Sequence, residues 1–300
     1  MDLAHALRWD RDGRDWPHRE CSHFVTAGGR RWLVQRMGRG PVALLIHGTG
    51  ASVHSWRAVM PLLSRGFTVV AMDLPGHGFT DGAANADLSL VGMARSVHML
   101  VQALGLDVDL IVGHSAGAAV GARMVLDGHV APRLLVAVNG AFFPLAGLAG
   151  VLFPAVARVM AVTPWAARWF ARRTWEPDAV KRLIAGTGST LDPYGIALYG
   201  RLMRDPAHTA GALAMMAQWE LRPLAHDLAN WRTPLGLIVG ARDRAVSPDD
   251  AERLRRLLPA STACSKVVLQ DAGHLAHEER PVDVAQWIGA LWAVGGASTC

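Results

Sequence analysis

Cysteine and tyrosine are both scarce, with three Cys and two Tyr in 300 residues. Cys21, Cys264 and Cys300 are far apart, with neither the paired spacing of a zinc site nor the even number of a disulfide framework. That usage fits a reducing compartment, and the expected localisation is cytoplasmic. His98, His129, His208 and His226 share no spacing with Cys, Asp or Glu that suggests ligation, so no metal is expected. A Gly-rich nucleotide loop after a strand is also missing, which argues against a nucleotide cofactor. The leading segment lacks the apolar core of a secretion signal, because Asp2, Asp10, Asp12, Asp15 and Glu20 interrupt it. Charge is not concentrated either. Lys+Arg of 30 against Asp+Glu of 25 leaves a net +5, but the arginines are scattered. Clusters such as Arg8, Arg11 and Arg14, or Arg253, Arg255 and Arg256, read as solvated faces, and no nucleic-acid partner is expected. Weak attraction to an anionic membrane surface is compatible with the positive balance.

One stretch, Leu134 to Ala157, carries no charge at all, yet Asn139, Pro144, Gly147, Gly150 and Pro154 interrupt it. A buried strand running into a lid helix is expected there in preference to a membrane span, although an apolar lid could touch a membrane surface. What the chain does have is apolar mass: 51% hydrophobic against 18% charged residues supports a large core. Arg31 to Met37 has strand character, and short apolar runs then recur at Val42 to Ile46, Phe67 to Met72, Leu110 to Val112, Leu134 to Val138, Leu235 to Val239 and Val267 to Leu269. Most end in Gly, Asp or Asn and read as buried parallel strands. Between them, Leu88 to Leu104, Ala116 to Leu126, Asp249 to Leu258 and Val282 to Trp292 have helical spacing. The alternation predicts an α/β fold with a mostly parallel, doubly wound sheet, whose chemistry sits at the carboxyl ends of the strands. From about residue 141 to 230 the rhythm breaks into Met-, Trp-, Ala- and Pro-rich helical segments. The expected organisation is core 1–140, a helical cap insertion 141–230, and core 231–300.

Gly113-His114-Ser115-Ala116-Gly117 follows one strand and opens a helix, the setting in which a Gly-x-Ser-x-Gly elbow presents a nucleophilic serine. A tight turn with a capping serine is the bland alternative. A serine hydroxyl needs a base, and the base needs an orienting carboxylate. His274 follows the last strand and Asp243 the one before, giving the catalytic set Ser115, Asp243 and His274 in the chain order serine, acid, histidine. His277 is read as a surface residue or a contact behind the base, and Asp249 and Asp250 as helix caps. The loop His47-Gly48-Thr49-Gly50 follows the strand Val42 to Ile46, so the backbone N–H groups of Thr49 and Ala116 are the candidate oxyanion donors. His47 is read as a structural hydrogen-bonding residue, and Asp73 as fixing the loop Asp73-Leu74-Pro75-Gly76-His77-Gly78. In the cap, Trp165, Trp169, Met215, Met216 and Trp219 are the candidate substrate-binding residues, with packing against the core as the alternative for each.

With these motifs in place the chain resembles the α/β-hydrolase superfamily over about residues 25 to 295. Within it the chain resembles the BchO branch, the magnesium chelatase accessory proteins of bacteriochlorophyll synthesis. The resemblance to that branch lies in the lead Trp9-Asp10-Arg11-Asp12-Gly13-Arg14-Asp15-Trp16-Pro17, in His47 to Ser55 with Trp56, in Gly113 to Ala119, in Gly186-Thr187-Gly188-Ser189, in Gly211 to Trp219 and in Gly273 to Glu279, the lead and Gly211 to Trp219 being the specific ones. It implies a pigment pathway near a photosynthetic membrane, magnesium chelatase subunits as partners, and a small apolar ligand such as a porphyrin. The serine, acid and histidine point to an esterase-like hydrolase acting on an apolar substrate, a tetrapyrrole ester or related intermediate. A non-catalytic porphyrin-binding or chelatase-assisting protein and a serine-dependent carbon–carbon hydrolase are the competing readings. Dehalogenase and epoxide hydrolase chemistry are disfavoured, since resemblance to those enzymes would place aspartate where Ser115 stands.

Overall fold

The computed structural model describes residues 7–82, 87–144 and 178–296. An eight-stranded sheet runs in the order β1-β2-β4-β3-β5-β6-β7-β8. Its strands are β1 Ser22–Ala27, β2 Arg30–Met37, β3 Val42–Ile46, β4 Thr68–Met72, β5 Val108–His114, β6 Leu134–Val138, β7 Leu235–Gly240 and β8 Cys264–Leu269. The β1–β2 hairpin is antiparallel and pairs antiparallel with β4, while every pairing from β4 to β8 is parallel. β1 is a correction to the sequence reading, which began the sheet at residue 31. Its half-exposed residues, Ser22, His23 and Thr26 among them, lack the apolar run by which the buried strands announce themselves. β8 is the other correction. It is an edge strand with Ser265, Lys266 and Val268 exposed, because nothing covers its outer side among the described residues.

The described helices are α1 Trp9–Asp12, α2 Met60–Leu63, α3 Leu90–Ala103, α4 Ala116–Leu126, α5 Ala179–Gly186, α6 Pro193–Met203, α7 Pro206–Ala217, α8 Arg222–Asp227, α9 Asp250–Leu257, α10 Ala276–Glu279 and α11 Pro281–Gly296. Along β3 the pleat sends Leu44 and Ile46 into the core beneath α3 and α4, and Ala43 and Leu45 into the core beneath α2 and α11. Burial on both faces explains the unbroken apolar sequence of the parallel strands.

Between β6 and β7 no strand interrupts α5 to α8 among the described residues. Local chemistry starts these helices: Asp192 accepts from Gly195 N–H at 2.6 Å ahead of Pro193, and Asp205 from Ala207 N–H at 3.0 Å ahead of Pro206. Asp249 does not cap its helix; it stands before α9 in helical geometry with no side-chain cap bond. No helix among the described residues is long and apolar enough to cross a membrane.

Candidate active site

β5 ends in a backbone that L-residues rarely adopt: Ser115 has φ 51° and ψ −119°. Neighbours hold it there. Ser115 N–H donates to Val138 C=O at 3.1 Å, and Ser115 C=O accepts from Ala141 N–H at 3.0 Å. The flanking glycines are required by close approach, since a Cβ on Gly117 would lie 2.2 Å from the Ile46 carbonyl oxygen and one on Gly113 2.4 Å from Ala118 Cα. The serine is thereby lifted onto the N-terminus of α4, where the Ala116 N–H has no partner inside the helix. Neither Ala116 N–H nor Thr49 N–H is engaged by another described residue.

His274 Nδ1 donates to Asp243 Oδ2 at 2.8 Å. Both residues are buried, at 8% and 7% exposure. Asp243 Oδ1 accepts from Ala245 and Val246 N–H at 2.8 and 2.9 Å, so the carboxylate is fixed from both sides. That bond sets Nδ1 as the protonated nitrogen and leaves Nε2 free to act as a base. Ser115 and His274 line one cavity of about 460 Å³; among the described residues no hydrogen bond joins their side chains.

The cavity is walled by Thr49, Leu183, Ile184, Met203, Leu213 and Met216, with Tyr199, Thr187, His208 and Thr209 contributing polar atoms. Those polar atoms are already spent on the protein. Tyr199 O–H donates to Glu278 Oε1 at 2.7 Å, Thr187 to Ile184 C=O at 2.7 Å and Thr209 to Met203 C=O at 3.0 Å. His208 accepts from Gly78 N–H and donates to Gly50 C=O. No Asp, Glu, Lys or Arg lines the cavity among the described residues. A larger groove of about 610 Å³ beside His98 and His129 lies at the opposite, N-terminal ends of β5 to β7, away from the serine. The carboxyl ends are where such sheets bind ligands.

Of the proposed cap contacts, Met216 lines the cavity. Met215 does not: it is fully buried, with Thr49 Oγ1 donating to its sulfur at 3.4 Å. Trp219 packs against the core instead of the cavity. Trp165 and Trp169 lie outside the described residues. His47 is structural as expected, its Nδ1 donating to Gly48 C=O and its Nε2 accepting from Leu74 N–H. Asp73 fixes its loop by accepting from Val53 and Phe79 N–H, and burial pushes its carboxyl up to about 7. His277 is not a surface residue. It is fully buried against the rings of Trp56 and His114, and burial holds it far below the ordinary imidazole value.

Two residues whose roles the motifs did not reveal complete the arrangement. Asn139, at the carboxyl end of β6 with φ 47°, accepts from Gly240 N–H at 2.7 Å and donates to the Gly273 and His274 carbonyls at 2.8 and 2.7 Å. His114 Nε2 donates to the His274 carbonyl at 2.9 Å. Its imidazole is held neutral by burial first and by neighbouring His274 second. The available signal was a polar residue ending an apolar strand, as in Val138-Asn139-Gly140. No group of His, Cys, Asp or Glu among the described residues could hold a metal ion.

A strand-to-helix elbow carrying serine, an aspartate–histidine pair from the last two strands, and a parallel sheet define a hydrolase-type α/β architecture. The chain belongs to the alpha/beta hydrolase family, whose profile it matches over residues 43–287. It is 39% identical over 266 residues to "Magnesium-chelatase 30 kDa subunit" of Rhodobacter capsulatus, covering 88% of this chain and 92% of that one. It is also 33% identical over 194 residues to "Fluoroacetate dehalogenase" of a Burkholderia species, covering 58% and 61%. Among solved structures, the epoxide hydrolase CorEH superposes with a TM-score of 0.76 at 22% identity, covering 91% of this chain and 98% of that one. A serine hydrolase involved in carbazole degradation does so at 0.70 and 23%, covering 91% and 98%. At those identities the structural likeness shows the fold.

Proposed function

We propose that the protein is a serine-dependent hydrolase of uncharged, apolar esters, with a tetrapyrrole ester as the substrate class. The observation that carries this is the cavity: its free polar groups converge at Ser115 and His274, while its walls are apolar and its other side-chain donors are already engaged. In this reading Ser115 Oγ attacks the ester carbonyl and passes its proton to His274 Nε2, with Asp243 stabilising the imidazolium. The hydrogen bond from Ser115 Oγ to His274 Nε2 forms as substrate engages. Thr49 and Ala116 N–H receive the oxyanion, a contribution of about 10²–10³ in rate for each donor. Collapse expels the alcohol, protonated by His274, and water then releases the acid from the acyl-serine. Residues 141–230 act as the cap over this site.

A buried charge without a partner is costly. The enzyme is therefore expected to cleave a neutral alkyl ester of an apolar acid at least about tenfold faster, in kcat/KM, than the same ester bearing a free carboxylate within the cavity. Equal rates for the two would overturn the substrate class.

The relative named as a magnesium-chelatase subunit favours a second reading, in which the same cavity shelters a porphyrin for delivery and partners with chelatase subunits. Apolar burial at roughly 25 cal/mol per Å² supports micromolar pigment binding without chemistry. Titrating the Ser115→Ala protein with the magnesium protoporphyrin monomethyl ester, read by tryptophan quenching, separates the two. Tight binding with no ester cleavage by the unmutated chain would move the conclusion to delivery.

A further inference from the structure

Gly186-Thr187-Gly188-Ser189, one of the stretches in which the chain resembles its branch, supplies none of the catalytic residues, yet it runs across both the acid turn and the base loop. Thr187 C=O accepts from Arg244 N–H at 3.0 Å, next to Asp243. Ser189 is 2% exposed, and its Oγ accepts from Leu275 N–H at 2.8 Å, next to His274. Glu279 spans the same gap: Oε1 accepts from Thr190 N–H at 2.9 Å and Oε2 from Gly273 N–H at 2.8 Å. Contact between the two loops is so close that a Cβ on Gly273 would sit 2.3 Å from the Gly188 carbonyl oxygen. With Asn139 and His114 holding the carbonyls of Gly273 and His274, the peptide groups on either side of the base are gripped from two directions. The core supplies one grip and the insertion between β6 and β7 supplies the other.

The strap also borders the ligand space. Leu183, Ile184 and Thr187 line the cavity directly ahead of Ser189, and Ile184 packs in one apolar cluster with Ala51 and Leu275. The insertion thus meets the backbone of the base through the Ser189 hydroxyl, the Glu279 carboxylate and the packing of Ile184 on Leu275.

We propose that Ser189 is a positioning residue for the general base: through Leu275 N–H it fixes the loop that presents His274, making assembly of the Asp243–His274 pair depend on the seating of the insertion. This rests on the serine-hydrolase reading. Ser189→Ala would leave a buried N–H without an acceptor and free the loop on its cap side.

The test compares the unmutated chain with Ser189→Ala, Ser189→Thr and Glu279→Gln, using the rate of Ser115 labelling by an alkyl fluorophosphonate and the downfield proton resonance of His274 Nδ1–H. Ser189→Ala is expected to label about tenfold more slowly, and to lose that resonance to exchange broadening while its thermal transition stays cooperative. Ser189→Thr, which keeps the hydroxyl, restores both, and Glu279→Gln gives an intermediate loss that stands in should Ser189→Ala fail to fold. Unchanged labelling with an intact resonance in Ser189→Ala and Glu279→Gln would overturn the proposal. If the unmutated chain is not labelled at all, the hydrolase reading falls, and the resonance alone then decides whether Ser189 holds the base loop.

Discussion

Asn139 ties together residues 101 and 135 positions away, because one carboxamide accepts from Gly240 and donates to the Gly273 and His274 carbonyls. Asn139→Asp tolerates the same left-handed backbone and keeps the acceptor, but it turns an oxygen toward two carbonyl oxygens. We expect about tenfold or greater loss of kcat with the protein still folded; near-normal turnover would show that the base loop does not need the tie. Ser115→Ala and His274→Ala are each expected to abolish esterase activity, whereas Asp243→Asn leaves a residue of it, because the triad members act as a unit in which the acid is the least demanding member. Steady-state rates on a short acyl ester check this, and substantial turnover by Ser115→Ala would remove the nucleophile assignment. These three positions stood out in the sequence because each follows a short apolar run that reads as a strand of the sheet. Asn139, His114 and Ser189 were not, since their roles depend on hydrogen-bond partners more than 80 residues away, which no local pattern encodes.

At the scale of elements, α7 lies on the loop after β4 through a backbone-to-backbone contact. A Cβ on Gly211 would stand 2.0 Å from the Gly76 carbonyl oxygen, and Gly76 itself has φ +75°. Backbone cannot yield as a side-chain tip can, so Gly211→Ala is expected to destabilise the fold by about 1–3 kcal/mol and lower the melting temperature, with the shift read by calorimetry. An unchanged melt would mean that α7 does not bear on that loop. The stretch Gly211 to Trp219 stood out in the sequence for its resemblance to one branch. Its physical content is this contact, together with Met215 under Thr49 and Met216 in the cavity wall. Seven of the eight strands were legible in the sequence, although β8 was read as buried and is an exposed edge, whereas the half-exposed β1 was not legible. Helix α9 was legible too, but not the absence of a side-chain cap at its start.

For the whole molecule, the abundance of neutral buried imidazole sets the response to acid. His47, His54, His77, His114, His208 and His277 are all held below the ordinary value of 6.5, with burial the largest cause for each. Each binds a proton less readily folded than unfolded, so its stabilisation is complete above that value and is lost as pH falls below it. Asp73 and Glu278, pushed up to about 7 by burial, oppose this: their stabilisation is full in the low carboxylate range and lost as pH rises through about 7. Six groups outweigh two, and each proton taken up on unfolding is worth about 1.4 kcal/mol per pH unit. The urea midpoint should therefore fall steeply from pH 7 to 5.5, and a flat profile would mean that these histidines are protonated in the folded protein.

All of these elements converge on one residue, so the account is tested most directly by the reaction of the folded protein with an alkyl fluorophosphonate, followed by peptide mapping and repeated on the Ser115→Ala and His274→Ala variants. Stoichiometric modification is expected at Ser115 in the unmutated chain, none at that position in Ser115→Ala, and a rate lowered by at least about 10² in His274→Ala. A folded, unmutated protein that remains unmodified, or one modified as fast without His274 as with it, would contradict a catalytic serine in this fold.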